Sequence, residues 1–169
     1  MHASSFAKMG ELLDGLGLAP GSTVADVGAM AYHSQRTHRE LCIERHLYYC
    51  GIDVAEGPNV DHVVPKHGPW YPSPCPSRFD LVISGQCLEH VGRPWEWIAS
   101  LASIVKPDGH AIIIAPWTFA QHRYPIDCWR ILPDGMAALF EWAGLEALTI
   151  GYDANGVDCW GVARKPNTA

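Results

Sequence analysis

What this 169-residue sequence lacks narrows its identity first. Its six cysteines (Cys42, Cys50, Cys75, Cys87, Cys128 and Cys159) include no CxxC pair, which argues against a zinc ribbon. Their scatter through apolar segments argues equally against a disulfide framework, and reduced, mostly buried thiols are expected. No stretch approaches the ~20 apolar residues that cross a bilayer, and no basic start leads into a long apolar run. A soluble cytoplasmic protein with no membrane partner is the expectation. Basic charge is scarce as well: twelve Lys and Arg against eighteen Asp and Glu leave a net charge of −6 with His neutral. Such a chain lacks the positive footprint that neutralises a run of phosphates, so nucleic acid is disfavoured and a small-molecule partner is favoured.

What the sequence does contain is globular: 48% of residues are hydrophobic and 18% charged. The length suits one domain spanning residues 1–169. Phe6, Met9, Leu12, Leu13 and Leu16 fall at helical spacing, closed by Gly17 and the Pro20-Gly21 turn. The segment "STVADVG" reads as a short buried strand, and residues 34–46 as a helix turning Leu41 and Ile43 inward. Further strands are expected in "LYYCGIDV", "VDHVV", "RFDLVISG" and "GHAIIIAPW", with helix from Pro94 to Val105 before the last. After Pro133, "DGMAALFEWAG" forms an amphipathic helix capped by Gly144. Two final strands, "LEALTIGYD" and "GVDCWGVARK", are expected to join through Asn155-Gly156 as a two-residue hairpin. Only "HGPWYPSPCPS" is biased enough to read as a long loop. Short apolar strands alternating with helices imply an α/β fold, a mostly parallel sheet covered on both faces.

The loop after the first strand is poor in glycine. In "VADVGAMAYHSQ", Asp26 and Gly28 follow the strand, but Met30, Tyr32 and His33 stand where further glycines would cradle a pyrophosphate. The order of elements, Asp26-x-Gly28, Asp53 at the end of the second strand and "FDLVISGQCLEHV…PWEWIASLASIVKPDGHAIIIAPW" together resemble the class I S-adenosylmethionine-dependent methyltransferases. The resemblance runs from about Thr23 to Arg164. It implies a Rossmann-like doubly wound sheet with an antiparallel terminal hairpin strand, and S-adenosyl-L-methionine as cofactor. That donor carries no phosphate, so a loop with one tight turn at Gly28 remains usable. The segment "HRYPIDCWRILPDG" further resembles a subgroup associated with sugar and polysaccharide modification.

On this resemblance the donor-binding residues are Asp26, Gly28, Met30, Asp53, Val54, Ser84, Gly85 and Gln86. Asp53 is placed to accept hydrogen bonds from both ribose hydroxyls. Adenine would lie beside Pro65 to Trp70, where Lys66-His67 replace the family's usual acid. Ser84, Gly85 and Gln86 leave the fourth strand at the crevice where ligands of open α/β sheets bind. Glu89 and His90 of Leu88-Glu89-His90 would either act in catalysis or orient that loop. Methyl transfer to a hydroxyl requires loss of its proton, and histidine, with a reference pKa near ~6.5, is the usual base. His122 after the fifth strand is the first candidate, followed by His33 and His90, with Asp127 either orienting His122 or binding an acceptor hydroxyl. His33, Trp129 and Arg130 are candidates for binding the acceptor, an apolar platform and a guanidinium fork suiting a glycoside. Asp127 and Arg130 would alternatively form an ion pair anchoring their loop. Trp70, Trp95, Trp97 and Trp117 are expected to pack. His33, His122, Asp127 and Asp108 show no ligand spacing, and no metal is expected.

The function expected is therefore O-methylation of a small sugar-like acceptor. The alternative is a non-catalytic module that keeps the fold for binding or assembly. A nicotinamide-dependent oxidoreductase is disfavoured by the glycine-poor loop and the terminal hairpin. No inserted lid encloses an acceptor, which leaves room for a partner subunit and thus a homodimer.

Overall fold

The computed structural model describes residues 3–32, 36–71, 75 and 78–167. Among these residues seven strands form one sheet: β1 (Thr23–Val27), β2 (Tyr48–Asp53), β3 (His62–Val63), β4 (Phe79–Gly85), β5 (Val105–Pro116), β6 (Glu146–Tyr152) and β7 (Asp158–Arg164). Their spatial order is β3-β2-β1-β4-β5-β7-β6. The first five strands pair in parallel, whereas β7 runs antiparallel between β5 and β6. This is the doubly wound sheet with an antiparallel terminal hairpin that the strand–helix alternation implied.

Among the described residues four α-helices cover the sheet: α1 (Ala3–Leu16), α2 (His38–Glu44), α3 (Pro94–Ser103) and α4 (Pro133–Trp142). Strand alternation decides which side chains meet which pair. Val24, Leu81, Ile83, Ile112 and Ile114 point to one face, where Met9 and Leu13 of α1 and Leu41 and Cys42 of α2 cover them. Ala25, Val27, Val82 and Ile113 point to the other, against Trp97, Ile98 and Leu101 of α3 and Met136 and Phe140 of α4. Both α3 and α4 begin with proline, whose missing N–H costs nothing in the first helical turn. Gly144, at φ +69°, ends α4 as anticipated, with the Leu145 N–H returning to the Phe140 carbonyl at 2.9 Å.

Three local expectations are corrected. Ile43 is 62% exposed, because the short α2 turns Leu41 and Cys42 to the sheet and leaves its neighbour outside. Trp95 is exposed at the start of α3, while Trp70 and Trp97 are buried and Trp117 is partly buried. The terminal hairpin does not turn on two residues: β6 ends at Tyr152 and β7 starts at Asp158. Asp153 organises the wider loop, its side chain accepting from the Asn155 N–H at 3.0 Å and its carbonyl from the Gly156 N–H at 3.1 Å. All six cysteines are free, three of them buried, and Cys128 is exposed. No helix among the described residues is long and apolar enough to cross a membrane.

Gly161 on β7 marks where α4 presses closest to the sheet, since a Cβ there would lie 2.6 Å from a Phe140 ring carbon and 2.9 Å from Met136 Cγ. Both neighbours are fully buried and have no room to retreat. Gly161→Ala is expected to destabilise the protein by about 1–3 kcal/mol through overpacking. Urea denaturation of the two proteins measures this, and an unchanged midpoint would show that α4 shifts freely.

Candidate functional site

The carboxyl ends of β1, β2, β4 and β5 meet along one edge of the sheet. The chain leaves β1 toward α2 on one face and β4 toward α3 on the other, and the divergence opens a crevice between them. Gly28 turns the chain at φ +82° as it leaves β1. A Cβ at that position would overlap Cys87 Sγ at 2.6 Å, so only glycine lets the two loops approach. Burial pushes the Cys87 thiol up, with the Glu89 and Asp53 charges adding to the rise, so it packs as a neutral group. Ser84 ties the same strands together, its hydroxyl donating to the Val27 carbonyl at 2.7 Å.

Asp53 closes β2 at this edge. Its carboxylate accepts from the Met30 N–H at 3.0 Å and from the Val54 N–H at 2.7 Å, so it holds the first loop against the second. Each carboxylate oxygen carries a further lone pair. Met30 contributes its amide to this contact, while its side chain packs against Gly57. Asn59 completes the fastening by donating to the Ala29 carbonyl and to the Tyr49 hydroxyl, each at 2.8 Å.

Asp26 does not face the crevice. It shares the sheet face of Val24, and its buried carboxylate meets His38 Nδ1 of α2 at 3.0 Å and accepts from the Tyr49 hydroxyl at 2.7 Å. The parity of β1 thus turns it beneath α2, where it pins helix to sheet. Gln86, at φ +57°, also turns inward, donating to Asp158 Oδ1 at 2.8 Å and leaving its own carbonyl oxygen buried without a partner. Asp158, buried at the start of β7, accepts in addition from Ser5 of α1 at 2.7 Å. The sequence carried no local signal for Asp158, because α1, β4 and β7 converge on it from distant parts of the chain.

The segment between β5 and α4 forms a strap over the other side of the crevice. Arg130 is its fastener: its guanidinium grips Asp127 through paired contacts of 2.7 and 2.8 Å and donates to the carbonyls of Phe119, Ala120 and Trp129. The Arg130 guanidinium holds the Asp127 carboxyl well below the usual carboxylate range. The anchoring ion pair weighed from the sequence is therefore present, and Arg130 spends its donors inside the strap. The Trp129 indole N–H donates to the Val91 carbonyl at 2.7 Å, joining the strap to the loop after β4. His33 lies outside the described residues.

The strap brings His122 to His90, ring centroids 4.9 Å apart at 83°. Asp127 accepts from the His122 backbone N–H at 2.7 Å, and its Oδ2 lies 3.6 Å from His122 Nδ1. Tyr124 and Phe119 flank the pair, and Tyr32 of the first loop reaches across to Tyr124 at 5.9 Å. Tyr32, Phe119 and Tyr124 are exposed, and together they rim the opening with rings that no periodicity announced. Beneath them Glu89 sits fully buried in the short 3-10 turn Leu88–His90. Burial pushes its carboxyl up to about 7; its own amide and Arg130 oppose the rise, and Asp127 and Asp158 add to it. The Leu-Glu-His signal pointed to this place without saying which residue would be buried.

With that geometry in view, residues 36–113 match the sequence profile of a family described as a methyltransferase domain. The fold is similar to that of solved structures, methyltransferases among them. One is Burkholderia thailandensis 1,6-didemethyltoxoflavin-N1-methyltransferase with bound 1,6-didemethyltoxoflavin and S-adenosylhomocysteine (TM-score 0.70, 17% identity, 96% of this chain and 79% of that one). Another is the protein in complex with the Haloferax volcanii Trm112 methyltransferase activator (TM-score 0.70, 16% identity, 96% and 90% of the two chains). A third is the [4+2]-cyclase SpnF (TM-score 0.69, 17% identity, 94% and 80%). No protein of curated function matches the sequence. The chain thus has the fold of S-adenosylmethionine-dependent methyltransferases, a fold that also carries a cyclase.

Because the Glu89 carboxyl is raised from an ordinary value near 4.5 to about 7, the folded state binds more protons than the unfolded one between those limits. Stability should fall as pH rises through that window, by up to about 3 kcal/mol. In chelator-containing buffer Glu89→Gln is expected to match the parent near pH 5 and exceed it at pH 8. Parallel slopes for the two proteins across that range would refute an ionising Glu89.

Proposed function

We propose that this protein transfers a methyl group from S-adenosyl-L-methionine to a hydroxyl oxygen of a small acceptor, with a sugar-like ring the acceptor class best suited to the rim. The observation that carries the reading is Asp53 at the carboxyl end of β2, clamped by two backbone amides on a sheet of methyltransferase order. The match of residues 36–113 to the methyltransferase domain family supports it. The donor fits what is there: the carboxylate has lone pairs left for a ribose diol, and the single tight turn at Gly28 needs no phosphate to satisfy it.

When bound, the donor supplies a methyl carbon activated by a sulfonium. The chain's own task is to align the nucleophile, keep water out and accept one proton. His122 is the general base in this reading. Asp127 anchors it through the backbone contact at 2.7 Å and lies near its Nδ1, while Arg130 keeps that carboxylate ionised. His90 stands beside it. Burial pulls the His90 ring down in pKa, opposed by its contact with the Ile126 carbonyl, so it is neutral at physiological pH. Tyr124, Phe119 and Trp129 offer ring faces to the apolar side of an acceptor.

Calorimetric titration with S-adenosylmethionine is expected to show binding in the parent protein and its loss in Asp53→Ala; a silent parent would end the donor assignment. His122→Ala should keep donor binding while turnover on a hydroxylated acceptor falls about 10²–10⁴-fold. Turnover at the parental rate would clear His122 of the role. Donor binding without product from any member of an acceptor panel would instead favour a binding module.

A further inference from the structure

Among the described residues four buried carboxylates lie near this edge, and their surroundings differ sharply; Asp127 is gripped by Arg130. Asp26 is met by His38 and Tyr49, and Asp158 by Ser5 and Gln86. Glu89 is fully buried, yet neither of its oxygens has a hydrogen-bond partner. A buried ionised carboxylate is costly unless a counter-charge meets it. Arg130 is committed to Asp127 and the strap carbonyls, so it does not serve as that partner.

What does face Glu89 is imidazole. His90 Nε2 lies 3.6 Å from Glu89 Oε1, and one ligand atom each from Glu89, His90 and His122 fall within 4.8 Å of one another. Each ring has its Nδ1 engaged with the chain. His90 Nδ1 donates to the Ile126 carbonyl at 2.6 Å, and His122 Nδ1 to the Ala120 carbonyl at 3.3 Å with Asp127 alongside. A neutral imidazole protonated at Nδ1 presents a bare lone pair at Nε2. Backbone carbonyls and carboxylates that fix the tautomer in this way are the outer shell expected around metal-ligating histidines.

We infer that Glu89, His90 and His122 form a binding site for a divalent first-row metal ion. Two imidazoles and one carboxylate are a donor set that suits Zn²⁺ or Co²⁺ and leaves coordination positions open. The inference departs from the sequence expectation of no metal, and the reason is tertiary: Glu89 and His90 are contiguous, but His122 joins them only because the strap folds back. The inference rests on the methyl-transfer reading in one respect, that an ion holding the acceptor oxygen beside the donor would take over the activation otherwise given to His122 as base; ion binding itself does not require the donor.

The test uses chelator-washed protein titrated with Co²⁺, followed by visible absorption, and with Zn²⁺, followed by calorimetry. The parent is expected to bind one equivalent with a ligand-field spectrum. Glu89→Gln, which preserves shape, and His122→Ala, whose side chain is partly exposed, should each weaken binding by more than the about 10–100-fold typical of losing an outer-shell contact. Circular dichroism confirms that both variants are folded. No spectrum and no heat in the parent, or parental affinity in both variants, would overturn the site and leave Glu89 and His90 as a proton-sharing pair. S-adenosylmethionine is titrated into the same preparations. Donor binding without metal sinks this inference alone, whereas metal binding without donor sinks the methyl-transfer reading alone.

Discussion

The approach of the β1 loop to the β4 loop sets the dimensions of everything at the working edge. Gly28 lies against Cys87 with no space for a Cβ, and Ser84 bonds the Val27 carbonyl just below. A parallel pair pinned so tightly must send its two chains apart onto opposite faces, and the crevice exists because they part. Asp53 then holds the first loop through the Met30 amide, so the edge is shaped by backbone contacts rather than by a glycine-rich cradle. That is why bulky residues such as Met30 and Tyr32 are tolerated there: one packs on Gly57, the other turns out to the rim.

The opposite wall is built differently. Between β5 and α4 the chain has no regular structure of its own, and its order comes from Arg130, which gathers Asp127 and three carbonyls around one planar group. Trp129 then stitches the strap to the loop after β4. The two histidines face one another only because these polar contacts hold the strap down. The placement of the two histidines and the local stability of the strap therefore share the same residues, and Asp127 contacts both His122 and Arg130.

Much of the architecture was legible in the sequence because it rests on periodicity. Strand alternation and helical spacing located the strands, the helices and the Gly144 cap, since burial of one face demands those patterns. Where the reading missed, the cause was contact between distant segments. Hydrophobicity alone points Ile43 inward, yet residues two apart lie on opposite sides of a helix, so burying Leu41 turns Ile43 out. The Asn155-Gly156 pair suggested a tight hairpin, but the Asp153 side chain organises a wider loop.

The same division runs through the site. The sequence by itself determined which residues arrive at the carboxyl ends of the strands: Gly28, Asp53, the Ser84-Gly85-Gln86 exit, and the histidines that follow β4 and β5. Those positions follow from strand order, and strand order follows from hydrophobic pattern. Only the tertiary structure decided where their side chains point. Face parity buried Asp26 beneath α2, Asp158 drew Gln86 inward, and the folded strap set His122 beside His90 above an unpartnered Glu89. A one-dimensional pattern encodes which side of an element is apolar, but the pairing of polar groups depends on distances that exist only once the loops have closed.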